Sequence, residues 1–402
     1  MRLLSRRRLQ RLAALALAGL LLAAGYLGAV AVRRVQPRAL PAPAGPDPVG
    51  RVREEWTDPG GRDPLAPRPT TGRTLAVWLW YPAAPAPGAP RAAYLPGRWA
   101  SLQGPLLSQS LLFEDFHAVR VHAVEAAPVA RVPARLPVLV FAPGLGTFLP
   151  YYTSLAEDLA SRGYLVAGVN PTYSADLTVL AGRVVGPTPA GQQAGDPLAE
   201  RWAADLRFVV DRLAALARGP GGPFAGRLEL SRVGLFGHSF GGAAALEACR
   251  LDRRCAGAAD LDGTPYGQVV RAGLAKPLVL FGSDGSCTTG QAGADADANP
   301  DCAARANALL AASRRHPGAA VHVYSLRGSR HASFIDAATM FVAPPLRRTL
   351  PFGSIDAARG LRVTADYLAA FFDQALAGRA RPLLDHPSGS YPEVSYLSAG
   401  GG

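Results

Sequence analysis

The feature that most constrains this 402-residue chain is a series of short apolar runs, each followed by a segment with helical periodicity. Leu136-Pro-Val-Leu-Val-Phe-Ala142 is nearly continuous in apolar side chains, as a strand buried on both faces must be. Residues 151–162 then carry a helical pattern that stops at Gly163. Tyr164-Leu-Val-Ala-Gly-Val169, Arg232-Val-Gly-Leu-Phe236, Ala256-Gly-Ala-Ala-Asp-Leu261, Pro277-Leu-Val-Leu-Phe281 and Val321-His-Val-Tyr-Ser325 repeat the strand signal. Helical patterns at 198–217, 241–250 and 357–377 lie among and after them. Strands alternating with helices predict a mostly parallel central sheet with helices on both faces.

Upstream, residues 74–81 read as the first firm strand, ended by Pro82. Residues 33–70 are rich in Pro, Gly and Arg and read as a linker to a catalytic domain at 71–380. Residues 381–402 read as a tail. Leu102, Leu106, Leu107, Leu111, Leu112, Phe113 and Phe116 form a loosely amphipathic stretch, read as a helix packed on the core, with a lipid-touching flap bordering the active site as the alternative.

The N-terminus is a separate signal. The chain carries a formal charge of +12, and eight arginines lie in its first 38 residues, which contain no acid. Excess charge is therefore concentrated in a leader, and no basic stripe with interleaved aromatics follows, which excludes a nucleic-acid partner. Residues 12–32 are uninterrupted by charge and long enough to cross a bilayer core of about 30 Å. Ser5-Arg6-Arg7-Arg8-Leu9-Gln10 resembles a twin-arginine export signal, and Ala29-Val30-Ala31 offers a small-x-small cleavage site. A cleaved signal peptide and an N-terminal membrane anchor both remain open. Either places the domain outside the cytoplasm, in the periplasm, the extracellular space or on the outer face of the membrane. Four cysteines suit such a compartment, and their spacing pairs Cys249 with Cys255 and Cys287 with Cys302.

Chemistry enters at Gly237-His238-Ser239-Phe240-Gly241-Gly242, between an apolar strand and an Ala-rich helix. This is the G-x-S-x-G turn in the context of the α/β-hydrolase fold, where a strained strand-to-helix corner presents a serine hydroxyl. Ser239 is the predicted nucleophile. A hydroxyl needs a base, and the fold's chain order of Ser, acid, His restricts the base to His316, His322, His331 or His386. His331 follows the last strand in a loop and is the one placed correctly. Asp262 and Asp284 both sit just past strands, and position alone does not separate them. The two oxyanion donors are expected from the backbone N–H of Phe240 and of Leu145, the latter in Pro143-Gly-Leu-Gly-Thr147.

These residues resemble a known family. Phe141-Ala-Pro-Gly-Leu-Gly-Thr-Phe148 looks like the oxyanion loop of the platelet-activating-factor acetylhydrolases of the plasma and intracellular type II kind, and of their bacterial relatives. Gly237–Gly242 is similar to their elbow. Ala259-Asp-Leu-Asp-Gly-Thr264 resembles their acid-bearing segment and Gly328-Ser-Arg-His-Ala-Ser-Phe334 their histidine-bearing one. The resemblance implies Asp262, with Asp284 as the alternative, and an exported serine esterase acting on short-acyl or phospholipid-type esters without cofactor or metal. Pro143 replaces a histidine of the plasma enzymes, and the cysteine-bounded segment 287–302 departs from the family's pattern. A polyester- or lipase-type hydrolase, or a non-catalytic surface protein of the same fold, are the alternatives. Asp295-Ala-Asp-Ala-Asn-Pro-Asp301 is similar to half a calcium loop, but Pro300 and Ala306 stand where such a loop needs Gly and an acid. It reads as a solvated loop.

Overall fold

A computed structural model describes residues 6–101, 113, 115–131, 134–289, 301–343 and 352–397. Its strands are β1 (Arg38–Ala39), β2 (Val49–Asp58), β3 (Arg73–Pro82), β4 (Arg91–Ala93), β5 (Val119–Glu125), β6 (Leu136–Ala142) and β7 (Leu165–Asn170). Beyond a small hairpin of β8 (Thr178–Leu180) and β9 (Arg183–Val185) come β10 (Leu228–His238), β11 (Cys255–Leu261), β12 (Leu278–Ser283), β13 (Val321–Leu326) and β14 (Val394–Tyr396). The helices are α1 (Arg6–Val35), α2 (Thr153–Ser161), α3 (Asp196–Arg218), α4 (Phe240–Leu251), α5 (Val269–Ala272), α6 (Cys302–Arg314) and α7 (Ala357–Ala377).

Along the main sheet the strands run β1-β5-β2-β3-β7-β6-β10-β11-β12-β13-β14, with β4 paired to β5. From β7 to β13 every pairing is parallel, while β3 lies antiparallel to both β2 and β7. This is the mostly parallel α/β-hydrolase sheet.

Period-two alternation decides what each face buries. In β6, Leu139 and Phe141 enter one core and Val138, Val140 and Ala142 the other. The first core is closed by α2 and α7, through Leu155, Leu159, Leu368 and Phe372. The second is closed by α3, α4 and α6, through Trp202, Leu206, Leu246 and Leu309. The chain leaves β6 toward β7, then returns through α3 to β10 on the opposite side of β6. That reversal opens a crevice at the carboxyl ends of β6 and β10, where open α/β sheets hold their sites.

The linker reading of residues 33–70 needs correction. β2 pairs with β3 in unbroken register from Val49↔Pro82 to Asp58↔Arg73. Its alternation is obscured because charged residues take both faces, Arg51 and Arg53 on the side of Val49 and Glu54 and Asp58 on the side of Trp56, while Val49 enters the first core and Trp56 the second. The tail reading is revised too, since β14 adds an antiparallel edge strand to β13. Of the stretch read as a helix, Phe113 and Phe116 are buried, Phe116 in a short 3-10 turn that leads into β5. Leu102, Leu106, Leu107, Leu111 and Leu112 lie outside the described residues, as do residues 290–300 of the acidic loop. Among the described residues no cluster of three or more His, Cys, Asp or Glu is arranged to hold a metal.

α1 exposes Leu12, Leu15, Leu17, Leu20, Leu21, Leu22 and Leu27. Its last turns touch the domain: Val30 is buried, Tyr26 packs on the first core, and Asp115 donates its N–H to the Arg34 carbonyl at 2.8 Å. Disulfides join Cys249 to Cys255, tying the end of α4 to the start of β11, and Cys287 to Cys302, tying the segment after β12 to α6.

Candidate active site

β10 ends at His238 and α4 begins at Phe240, so Ser239 alone makes the corner. Its backbone is held at φ 56°, ψ −129°. A non-glycine residue there stores roughly 1–3 kcal/mol of strain, which persists only when the surroundings impose it. They do. Ser239 donates its N–H to the Leu261 carbonyl at 2.8 Å and accepts from Gly242 N–H at 2.9 Å. Close packing allows no side chain at the flanking glycines. A Cβ on Gly241 would lie 2.2 Å from the Ala142 carbonyl oxygen, and one on Gly237 would lie 2.2 Å from the Gly241 backbone. The short residues of G-x-S-x-G are thus a packing requirement of the elbow.

The loop after β6 folds over this corner. A Cβ on Gly144 would come 3.2 Å from the Ser239 Cβ, so the loop backbone is pressed against the serine. Thr147 closes the turn, donating both its N–H, at 3.1 Å, and its hydroxyl, at 2.8 Å, to the Gly144 carbonyl. Among the described residues, the backbone N–H groups of Leu145 and Phe240 donate to no protein acceptor. Phe240 occupies the first turn of α4, where N–H groups have no intrahelical partner.

Asp262 lies one residue past β11, in the left-handed region at φ 59°, a conformation that Asp tolerates better than most residues. That twist turns its carboxylate toward the end of β12. Ser283 donates its N–H to Oδ1 at 2.7 Å and its hydroxyl to Oδ2 at 3.0 Å. His331 Nδ1 lies 2.7 Å from Oδ2. The carboxylate side chain is 2% exposed and the imidazole 48%. Burial opposes the Asp262 charge, but the His331 contact and the Ser283 and Ser286 donors outweigh it and hold the carboxyl below the usual carboxylate range.

Asp284 has a different place. Its carboxylate accepts from Gly328 N–H at 2.8 Å, at the start of the loop that carries His331. Of the two acids that position left equal, the structure brings Asp262 to the imidazole. The other late histidines stand apart: His322 is buried in β13 beside Tyr324, His316 bonds the Ala272 carbonyl, and His386 is exposed.

Two participants are not apparent in the sequence. His238 and Tyr152 are both buried and lie 2.8 Å apart, between the elbow and the loop after β6. His238 sits inside the motif, but nothing in the chain connects position 152 with position 238. Asp260, beside Gly242 and Gly263, is fully buried, accepts from Gly263 N–H at 2.9 Å and is pushed well above the usual carboxylate range by burial.

The chain is similar to several known proteins. The family model of platelet-activating factor acetylhydrolase, isoform II, matches residues 37–182, from β1 through the loop after β6 to the β8 hairpin. A probable 1-alkyl-2-acetylglycerophosphocholine esterase of Arthroderma benhamiae is 29% identical over 278 residues, 65% of this chain and 66% of that protein. A platelet-activating factor acetylhydrolase of Cavia porcellus is 25% identical over 224 residues, 48% of this chain and 50% of that protein. The chain therefore spans between half and just under two thirds of the length of these relatives. Among solved structures, a ferulic acid esterase from Streptomyces cinnamoneus superposes with a TM-score of 0.73 at 33% identity, covering 90% of this chain and all of the other. With its fold, its elbow and these likenesses taken together, the chain has the α/β-hydrolase fold, is similar over residues 37–182 to the platelet-activating factor acetylhydrolase family, and is similar over most of its length to a solved esterase.

Proposed function

We propose that this protein hydrolyses carboxylic esters by serine acyl transfer, with Ser239 as nucleophile, His331 as general base and Asp262 as the acid that orients it. The observation that carries this reading is the 2.7 Å contact between His331 Nδ1 and Asp262 Oδ2, in the crevice where Ser239 is held in a strained elbow. Asp262 fixes the tautomer with Nδ1 protonated, so Nε2 is the nitrogen that takes a proton. Ser239 Oγ attacks the ester carbonyl as Nε2 accepts its proton. The backbone N–H groups of Phe240 and Leu145 receive the developing oxyanion. The protonated His331 gives its proton to the departing alcohol, leaving an acyl-Ser239. Water then repeats the cycle in reverse and frees the acid. No metal or cofactor takes part.

The substrate is a short-acyl or phospholipid-type ester, supported by the names of the matched curated relatives. An aryl-acyl ester is the second reading, supported by the structural neighbour's name, ferulic acid esterase. The catalytic domain works outside the cytoplasm. Two disulfides and a 30-residue N-terminal apolar helix support that placement, the helix serving as signal or anchor.

The test is a substrate panel with the full chain and its Ser239→Ala variant: p-nitrophenyl esters from acetate to palmitate, a 1-alkyl-2-acetylglycerophosphocholine and methyl feruloate. Activity that peaks at short acyl chains and vanishes in the variant is expected. Undiminished hydrolysis by Ser239→Ala would overturn the nucleophile assignment, and a preference for long chains or for the feruloyl ester would overturn the substrate class.

A further inference from the structure

We infer that Tyr152 and His238 form a buried, one-way hydrogen-bond chain that positions the oxyanion loop against the loop carrying the base. The inference rests on the proposed roles of Ser239, His331 and the Leu145 N–H. It assigns two positioning residues that do not themselves touch substrate.

The chain has three links. Gly144 donates its N–H to Tyr152 Oη at 2.9 Å. Tyr152 Oη lies 2.8 Å from His238 Nδ1. His238 Nε2 lies 3.0 Å from the main-chain carbonyl oxygen of His331. One end determines every polarity. A carbonyl oxygen only accepts, so His238 Nε2 carries the proton. A neutral imidazole then has a bare Nδ1, which accepts from the Tyr152 hydroxyl. The Tyr152 oxygen keeps lone pairs for the Gly144 N–H. Thr147 Oγ1, 3.2 Å from the Tyr152 oxygen, already donates its own proton to the Gly144 carbonyl.

The surroundings hold this arrangement in place. Tyr152 is 1% and His238 2% exposed. The His238 ring packs against His331, with centroids 4.6 Å apart and the planes tilted by 36°, and against Phe334 and Tyr152. Burial and the neighbouring His331 push His238 down to about 3, against the weaker opposing pull of Asp262. It therefore stays neutral where the proposed chemistry runs. Protonation would set an Nδ1–H against the Tyr152 O–H and break the sequence of donors.

Three segments distant in the chain meet here: the loop containing Gly144 and Leu145, the elbow, and the loop of His331. Asp262 orients the His331 ring, but it does not set the distance from that loop to the oxyanion donor. The Tyr152–His238 chain spans that gap, and a displacement of about 1 Å in such a site can lower turnover 100-fold.

Steady-state kinetics on p-nitrophenyl acetate test it, with Tyr152→Phe, His238→Leu, the double variant and His238→Gln. A glutamine carbonyl can accept from Tyr152 while its amide donates to His331. Each of the first two is expected to lower kcat about 10- to 100-fold with KM within about twofold. The double variant should be no more than about twofold below the worse single one, because a broken chain cannot be broken again. His238→Gln should recover most of the loss. Losses that multiply in the double variant, or a glutamine no better than leucine, would overturn the inference. Long-range 1H–15N NMR of folded Ser239→Ala protein provides a readout independent of activity. The Nε2–H tautomer of His238 is expected, and an Nδ1–H tautomer sinks the chain even if hydrolysis behaves as proposed. A Ser239→Ala variant that retains activity would instead count against the nucleophile, leaving the tautomer to decide this inference.

Discussion

The carboxylate of Asp262 and the imidazole of His331, 69 residues apart in sequence, meet at 2.7 Å, with the acid sealed from solvent and the base half exposed. The burial asymmetry separates their roles. A sealed carboxylate keeps its charge only by the donors around it, whereas an exposed ring can meet substrate and water.

The first prediction separates the two acids. Asp262→Asn should reduce kcat by about four orders of magnitude, because an amide favours the wrong imidazole tautomer. Asp284→Asn should cost less than about fivefold, since its carbonyl can still accept from Gly328 N–H and any loss arises only from a loosened loop. Hydrolysis of p-nitrophenyl acetate by the two variants is the measurement. Equal losses would contradict the geometry.

A second prediction concerns activity and pH. His331 accepts a proton only when neutral, so kcat/KM should fall as the solution is acidified and reach a plateau on the alkaline side. A profile that stays flat from about pH 5 to pH 9 would remove His331 from the role of base.

Stability and pH are linked through the same carboxylate. Its folded value lies below that of an unfolded Asp, about 3.9. Its contribution is therefore fully present above the unfolded value and is lost as pH falls through the folded one. Asp336 behaves oppositely: burial raises it well above the usual range, so its contribution is complete in acid and is lost as pH rises through the folded value. Denaturant melts across this range should show wild type losing more stability than Asp262→Asn below about pH 4. Parallel curves for the two proteins would refute the linkage.

The disulfide between Cys287 and Cys302 closes a separation of 15 residues. Replacing both by Ser should lower unfolding free energy by about 3 kcal/mol, with kcat little changed because neither sulfur lies in the proposed triad. Thermal melts with parallel assays check this. Lost activity at unchanged stability would assign the insert a part in the site.

Much of this architecture is legible in the chain because its signals are local. The two-faced burial of β6 and β10 demands continuous apolar runs, and the elbow demands small residues wherever a Cβ would strike Ala142 or Gly241. Both leave a pattern within a dozen residues. β2 left none, because charged residues on both of its faces mask the alternation and its partner β3 lies beyond a Pro- and Gly-rich loop. The acid also could not be chosen by position: Asp262 and Asp284 each follow a strand, and the choice depends on which carboxylate the backbone turns toward His331.

The sequence by itself determined the sheet class, the elbow, the serine and the order in which acid and base follow. These depend on hydrophobic period and on the room a turn allows, which are properties of neighbouring residues. Position along the chain left Asp262 and Asp284 equal and only the resemblance favoured Asp262; the tertiary structure brings that carboxylate to His331, and brings Tyr152 to His238 between two loops. Hydrogen bonds act over about 3 Å in space, whatever the separation along the chain, so no spacing in the sequence can announce them.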